Sequence, residues 1–231
     1  MTRVLVLWDI DQTLLKVGPL TGTAYAGAFR AATGQDMGGE PWRYDGRTEL
    51  AAVTEVLESH GFEPENGLLE RFFDALVAEF ETHSGEMLRI GQVLPGAPEA
   101  LAAVGAAIAY QSVLTGNLYE LAVLKMTLFG LAEHIDFRIG AYGGDAFERR
   151  DLPAIALARV DEHIGLRLTG AEVVVVGDTR RDIAAGQVIG ARTVGIATGR
   201  ATEAELSQAG ADAVLPDLSD TEALLNAITG P

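Results

Sequence analysis

Residues 4–8, Val4-Leu5-Val6-Leu7-Trp8, form an apolar run without polar alternation that ends abruptly at Asp9. A strand that is apolar on both faces does not suit a sheet with one wet side, and it calls for helices over both faces. Similar short runs recur at 111–114 (Gln-Ser-Val-Leu), 137–139 (Phe-Arg-Ile), 173–176 (four valines), 193–196 and 213–215, and helical patterns separate the last five. The expected fold class is therefore α/β, a Rossmann-like parallel sheet with crossover helices on both sides.

One interval breaks this rhythm. Between the first run and Val113 there are roughly a hundred residues without a convincing strand, in a chain of 231. Within them Leu50, Val53 and Leu57 fall at helical spacing, as do Leu69, Phe72, Phe73, Leu76 and Phe80. Residues 21–32 are a further helix candidate, with Gly34 where that helix would stop. The Gly- and Pro-rich segment 34–46 reads as a loop. Residues 16–87 are thus expected to be a helical cap inserted into a core made of 1–15 and 88–231, with Val93-Leu94-Pro95-Gly96 marking the return. An insertion placed there is expected to pack over the carboxyl ends of the strands, where α/β folds bind ligands.

Composition excludes several classes of chemistry. No cysteine is present, so disulfides, thiolate metal sites and cysteine nucleophiles are ruled out. Lys and Arg number 17 against 33 Asp and Glu, a net charge of −16 that disfavours duplex nucleic acid and anionic membranes as partners. The apolar stretch before Asp9 is too short for a signal h-region, and none is long enough to span a bilayer, so the expected location is the cytoplasm.

Three strand ends carry candidate chemistry. Asp9-Ile10-Asp11-Gln12-Thr13 follows the first run and places two carboxylates at the sheet's carboxyl edge, where a cation would relieve their repulsion. The plainer reading is a turn with Asx hydrogen bonds and a Thr cap. Gly177-Asp178-Thr179-Arg180-Arg181-Asp182 follows the four valines in the same way, although Asp178 would also serve simply as a helix N-cap. Thr115-Gly116-Asn117 ends a third run and opens a helix expected over 118–128, offering a hydroxyl, a close backbone approach and free N–H groups. A phosphate and a divalent cation would satisfy all three ends together.

These motifs in this order resemble the haloacid dehalogenase superfamily of phosphatases over the whole chain. The helical insertion after the first motif looks like the cap of its phosphoglycolate phosphatases and β-phosphoglucomutases. The resemblance implies that Asp9 is the nucleophile and that Asp11 protonates the leaving alcohol and then activates water. It also implies that Thr115, with the amides of Gly116 and Asn117, holds the phosphoryl oxygens. Magnesium would be coordinated by Asp9, the main-chain carbonyl of Asp11 and Asp178, with Asp182 in support. Two positions depart from the family pattern. Gln12 stands where Gly is usual, and the basic motif, usually Lys followed by Pro, reads Glu148-Arg149-Arg150-Asp151-Leu152-Pro153. Alignment on Pro153 selects Arg150 as the phosphate-side cation, and a one-residue shift selects Arg149. Asp45-Gly46-Arg47-Thr48-Glu49 resembles the family's specificity loop, with Arg47 presented to substrate; the alternative is a solvated Arg before an N-capping Thr48.

The expectation is a magnesium-dependent phosphatase, monomer or homodimer, acting on a small phosphorylated metabolite through an aspartyl-phosphate. A phosphoglucomutase would keep the same residues. A non-catalytic phosphate-binding module would be expected to lack the nucleophile or a metal acid, and a dehalogenase would not need Asp11. His60, His83, His134 and His163 share no ligand-like spacing, and Trp8 and Trp42 read as packing residues.

Overall fold

The computed structural model describes residues 4–38, 46–65, 67–108 and 110–230; Trp42 and Asp45 lie outside them. In chain order, β1 (Leu5–Trp8) and β2 (Leu15–Lys16) precede four helices, α1 (Leu20–Thr33), α2 (Glu49–Ser59), α3 (Leu68–Thr82) and α4 (Ser84–Ile90). Next come β3 (Gln92–Val93), α5 (Ala97–Ala107), β4 (Tyr110–Val113), α6 (Tyr119–Leu128) and α7 (Leu152–Ile164). The chain continues through β5 (Val173–Gly177), α8 (Arg180–Val188), β6 (Arg192–Ile196), α9 (Glu203–Gln208), β7 (Ala213–Leu215) and α10 (Thr221–Thr229).

Five of the strands form one parallel sheet in the order β4-β1-β5-β6-β7. β1 is an interior strand between β4 and β5 and is buried on both faces, as its unbroken apolar run requires. Leu5 and Leu7 face a cluster with Val173, Val175, Leu152, Ala156 and Val160, while Val6 and Trp8 face the other side with Val174, Val176, Val194 and Leu101. The chain leaves β1 for β4 on one side and then crosses back to β5 on the other. β1 is therefore the switch point of the sheet, and a crevice opens beyond its carboxyl end.

β2 and β3 pair antiparallel, Leu15 with Val93 and Lys16 with Gln92, and bracket the four helices α1 to α4. The chain exits and returns side by side, so this helical segment hangs from a two-stranded stem. Its core is built from the apolar faces visible in the sequence: Tyr25 and Phe29 of α1, Val53 and Leu57 of α2, and Phe72, Leu76 and Phe80 of α3 are all buried.

One expected strand is absent. Residues Phe137–Ile139 form a 3-10 turn. Asp136 caps it: its Oδ1 accepts a hydrogen bond from Arg138 N at 3.0 Å, and its carbonyl accepts one from Ile139 N at 3.3 Å. This local Asx bonding competes with a ladder for the same backbone groups. Next to it, a bridge between Leu114 and Ala141 is the pairing that forms. Among the described residues, no helix is long and apolar enough to cross a membrane.

Phe72 lies fully buried, edge-on to Tyr25 at a centroid distance of 5.7 Å, and it joins α3 to α1. Phe72→Ala should lower unfolding free energy by about 3–5 kcal/mol, measured by urea denaturation. A loss under about 1 kcal/mol would mean that these helices do not share a packed core.

Candidate active site

Asp9 is the first residue past β1. Its N–H donates to the Val176 carbonyl at 2.8 Å, which extends the sheet contact by one residue and fixes the carboxylate at the switch point. The chain then turns sharply: Gln12 has φ +70°, the one non-glycine residue at positive φ among those described. An L-residue in this left-handed region carries strain of about 1–2 kcal/mol, which explains why glycine would serve here. The turn is over-determined by its bonds. Gln12 N donates to the Leu15 carbonyl at 2.8 Å, and Thr198 Oγ1 donates to the Gln12 carbonyl at 2.5 Å. Thr13 directs its hydroxyl back to Asp9 Oδ2 at 3.3 Å.

Asp9, Asp178 and Asp182 bring carboxylate oxygens within 4.8 Å of one another, and all three are buried. Asp178 is not a helix cap. Thr179 caps α8, accepting from Arg181 N and Asp182 N, and Asp182 completes a capping box through its Oδ2. Asp178 is thus left for the site. Arg149 crosses the cluster, with Nη2 at 2.6 Å from Asp9 Oδ1, at 3.0 Å from the Leu114 carbonyl and paired with Asp182 Oδ1.

Arg150, the residue selected by alignment on Pro153, is exposed on the outer side. Arg149–Asp151 is a 3-10 turn leading into α7. Successive side chains on such a turn diverge by about 120°, so only one of the two arginines can face the sheet, and it is Arg149.

Burial is the main force raising both the Asp9 and Asp178 carboxyl pKa values. Arg149 opposes it, and the neighbouring carboxylates add to it. Arg149 is itself held charged: burial works against its cation, and Asp182 and Asp9 outweigh that effect. Asp9, Asp178 and Asp182 form an all-oxygen set of buried acids, which fits a hard divalent cation.

Across the crevice, β4 delivers Thr115, Gly116 and Asn117. Thr115 Oγ1 accepts from Asn117 N at 3.2 Å and from Asn117 Nδ2 at 2.7 Å. The same Nδ2 donates to Asp11 Oδ2 at 2.7 Å, tying the second aspartate to this loop. Lys125 of α6 completes the group. Its Nζ donates to Asp11 Oδ1 and Oδ2 at 2.9 and 2.7 Å and to Asn117 Oδ1 at 2.7 Å. Sequence reasoning missed Lys125, although a signal existed: it lies on the buried stripe of α6 with Leu121, Ala122 and Met126.

The inserted helices close the crevice from above. Glu49 N donates to the Gly116 carbonyl at 2.8 Å and Leu50 N to the Gly143 carbonyl at 2.9 Å, while Thr48 Oγ1 donates to the Phe147 carbonyl at 2.7 Å. Contact is so close that a Cβ on Gly116 would overlap the Arg47 carbonyl, and one on Gly143 would overlap the Gly116 carbonyl. Glu49, at the start of α2, bonds Tyr25 Oη of α1. Burial pushes its carboxyl up to about 7, with Tyr25 and Lys125 acting against the rise. Thr48 does cap α2. Arg47 lines the cavity but pairs with Glu55. The cavity is about 700 Å³ and partly open, and Asp9, Asp11, Thr115, Asn117, Arg149 and Asp178 are among the residues that line it.

The family profile described as HAD-hydrolase-like matches residues 151–221. Solved structures match the full length. A hydrolase from Pseudomonas syringae superposes with a TM-score of 0.71 at 21% identity, covering 98% of this chain and 99% of that one. The fold is that of the HAD-like hydrolases. A protein described as a predicted phosphoglycolate phosphatase from Haemophilus somnus 129PT gives a TM-score of 0.68 at 17% identity, with coverage of 97% and 99%. CbbY from Rhodobacter sphaeroides, solved in complex with xylulose-1,5-bisphosphate, gives 0.70 at 19% identity, with coverage of 94% and 95%. No curated protein matches this chain in sequence. Within the HAD-like fold, the aspartate after β1, the threonine after β4 and the Gly177-Asp178 motif after β5 all open onto one crevice.

The raised acids give a pH dependence of definite sign. Folded Asp9 and Asp178 keep protons that the unfolded chain releases near their ordinary value of 3.8. Their contribution to stability is complete below that pH and is lost as pH rises through the folded values. The melting temperature of the metal-free protein should therefore fall as pH rises from about 5 to 9, and stabilisation by magnesium should grow over the same range. A magnesium effect that shrinks with rising pH would remove these carboxylates as its origin.

Proposed function

We propose that this chain is a magnesium-dependent phosphatase that hydrolyses a small phosphorylated metabolite through an aspartyl-phosphate, with residues 16–87 as its cap. One observation carries this reading: a buried carboxylate at the switch point, Asp9, with Arg149 on one oxygen and Thr115, Gly116 and Asn117 lining the same cavity.

In this reading an oxygen of Asp9 attacks phosphorus as the bond to the ester oxygen breaks, and Asp11 gives its proton to that oxygen. Water then attacks the phosphorus of the aspartyl-phosphate, Asp11 takes the proton, and the bond to Asp9 breaks to release orthophosphate. Arg149 and the hydroxyl of Thr115, with the amides of Gly116 and Asn117, hold the non-bridging oxygens while charge redistributes. Asp9, the Asp11 carbonyl and Asp178 would hold magnesium, with Asp182 anchoring Arg149 behind them. Bound there, the metal would offset repulsion between the ester anion and the carboxylates. The inserted helices would limit the entry of water, and Arg47, which lines the cavity beside its partner Glu55, would meet the remote end of a substrate.

Purified protein tested on a panel of alkyl and aryl phosphate esters should release orthophosphate only with magnesium, and chelation should abolish release. Asp9→Asn should reduce turnover by at least about 10³-fold with the fold intact. Retained turnover would dismiss the nucleophile, and formation of a phosphoryl-shifted isomer in place of orthophosphate would replace hydrolysis with mutase chemistry.

The two arginines separate cleanly. Arg149→Met should lower kcat/KM by about 10²–10³-fold, whereas Arg150→Met should change it less than about threefold. The reverse order would restore Arg150 to the phosphate side.

A further inference from the structure

A lysine buried at the edge of a cavity needs a reason. Lys125 is 3% exposed in an acidic protein, yet its single ion-pair partner among the described residues, Asp11, has a side chain 36% exposed to the crevice. Burial of an ammonium is costly unless its three N–H donors are all used. Here they are: two reach the oxygens of Asp11 and one reaches Asn117 Oδ1. The ring of Phe80, from α3 of the inserted helices, covers the ammonium at 5.3 Å from its centroid. Lys125 is thus gripped by the core from below and shielded by the insertion from above.

The bond to Asn117 has a directional consequence. An ammonium only donates, so it selects the oxygen end of the Asn117 amide. The amide nitrogen is then forced to the opposite side, where it donates to both Asp11 Oδ2 and Thr115 Oγ1 at 2.7 Å. Without that charge, the Asn117 oxygen would lose its donor and the amide would be held by Asp11 and Thr115 alone. Asp11 would lose its two bonds to Lys125 directly and the third through Asn117.

We propose that Lys125 is the positioning residue for Asp11: it fixes the carboxyl group and the Asn117 amide in one arrangement beside the phosphate-binding loop, and when Asp11 carries its proton one oxygen stays on Lys125 while the other gives up its bond and turns the proton to the leaving oxygen. This rests on the phosphatase reading above. Lys125 acts through Asp11 and not on the phosphoryl group, which Arg149 and Thr115 address. The consequence is selective. Esters with poor leaving groups need the proton from Asp11, and aryl esters need it little.

The test compares Lys125→Met, which keeps the length of the side chain and removes its donors, on an alkyl phosphate and on p-nitrophenyl phosphate. The kcat for the alkyl ester should fall about 30- to 100-fold with KM within about threefold, and the aryl ester should lose less than about fivefold. In an Asp11→Asn background the same substitution should add less than about threefold on either ester. Equal losses on both esters, or losses that multiply in the double variant, would overturn the proposal in favour of a general packing role or a direct contact with substrate. Should the methionine variant not fold, Lys125→Arg carries the comparison. Its charge and donors should keep the wild-type ratio of alkyl to aryl turnover, and a ratio that collapses would count against positioning. A wild-type protein that hydrolyses no ester would defeat the phosphatase reading, and positioning is then decided by a crystal structure of Lys125→Met. Asp11 and Asn117 should be found in changed orientations, and unchanged ones would end the proposal.

Discussion

A guanidinium buried between two carboxylates organises this molecule. Arg149 reaches across the carboxyl edge of the sheet to Asp9 after β1 and Asp182 in α8, and it also meets the carbonyl of Leu114 after β4. Three separate strand ends are therefore held by one side chain. Removing the arginine would leave buried carboxylates without a cation, and such losses are severe because the interior cannot solvate what remains. Asp178 sits beside this assembly without a cation of its own, so the cluster as it stands is short of positive charge. With three buried carboxylates beside one guanidinium, the cluster is of a kind that could hold a cation.

Much of this arrangement can be read in the chain because it depends on local pattern. A run such as Val4 to Trp8 declares its burial on both faces without any knowledge of its neighbours, and the aspartate that ends it declares where the sheet stops. The helices of the insertion are legible for the same reason: Phe72, Leu76 and Phe80 repeat at the helical period. What escapes is what depends on rotation about a single residue or on contact between distant segments. Arg149 and Arg150 are equivalent as letters, and a 3-10 turn decides between them. The apolar residues at 137–139 suggest a strand, and Asp136 bends them into a turn using bonds that a hydropathy pattern does not contain. Lys125 is hidden differently. A charged residue on a buried stripe is conspicuous, but its partners lie 114 and 8 positions away and become visible only in three dimensions.

Gln12 shows how local and distant constraints divide the work. Its left-handed backbone is unfavourable for an L-residue, yet the turn is closed by Leu15 from within and by the Thr198 hydroxyl from the far side of the sheet. Strain in one residue is tolerated because the elements around it were already in place. The turn connects the proposed nucleophile to the stem of the inserted helices, so the geometry of chemistry and the attachment of the cap share the five residues from Ile10 to Leu14.

The paired glycines at the foot of α2 have a consequence for inheritance. The Arg47 carbonyl, Gly116 and Gly143 are stacked backbone against backbone with no volume left for even a methyl group. Three segments far apart in the chain must therefore vary together. Glu58, exposed on α2, lies outside this constraint, but a side chain on either glycine would lift the helix from its seat. Side chains that could reshape the cavity are thereby confined to positions away from the glycine stack.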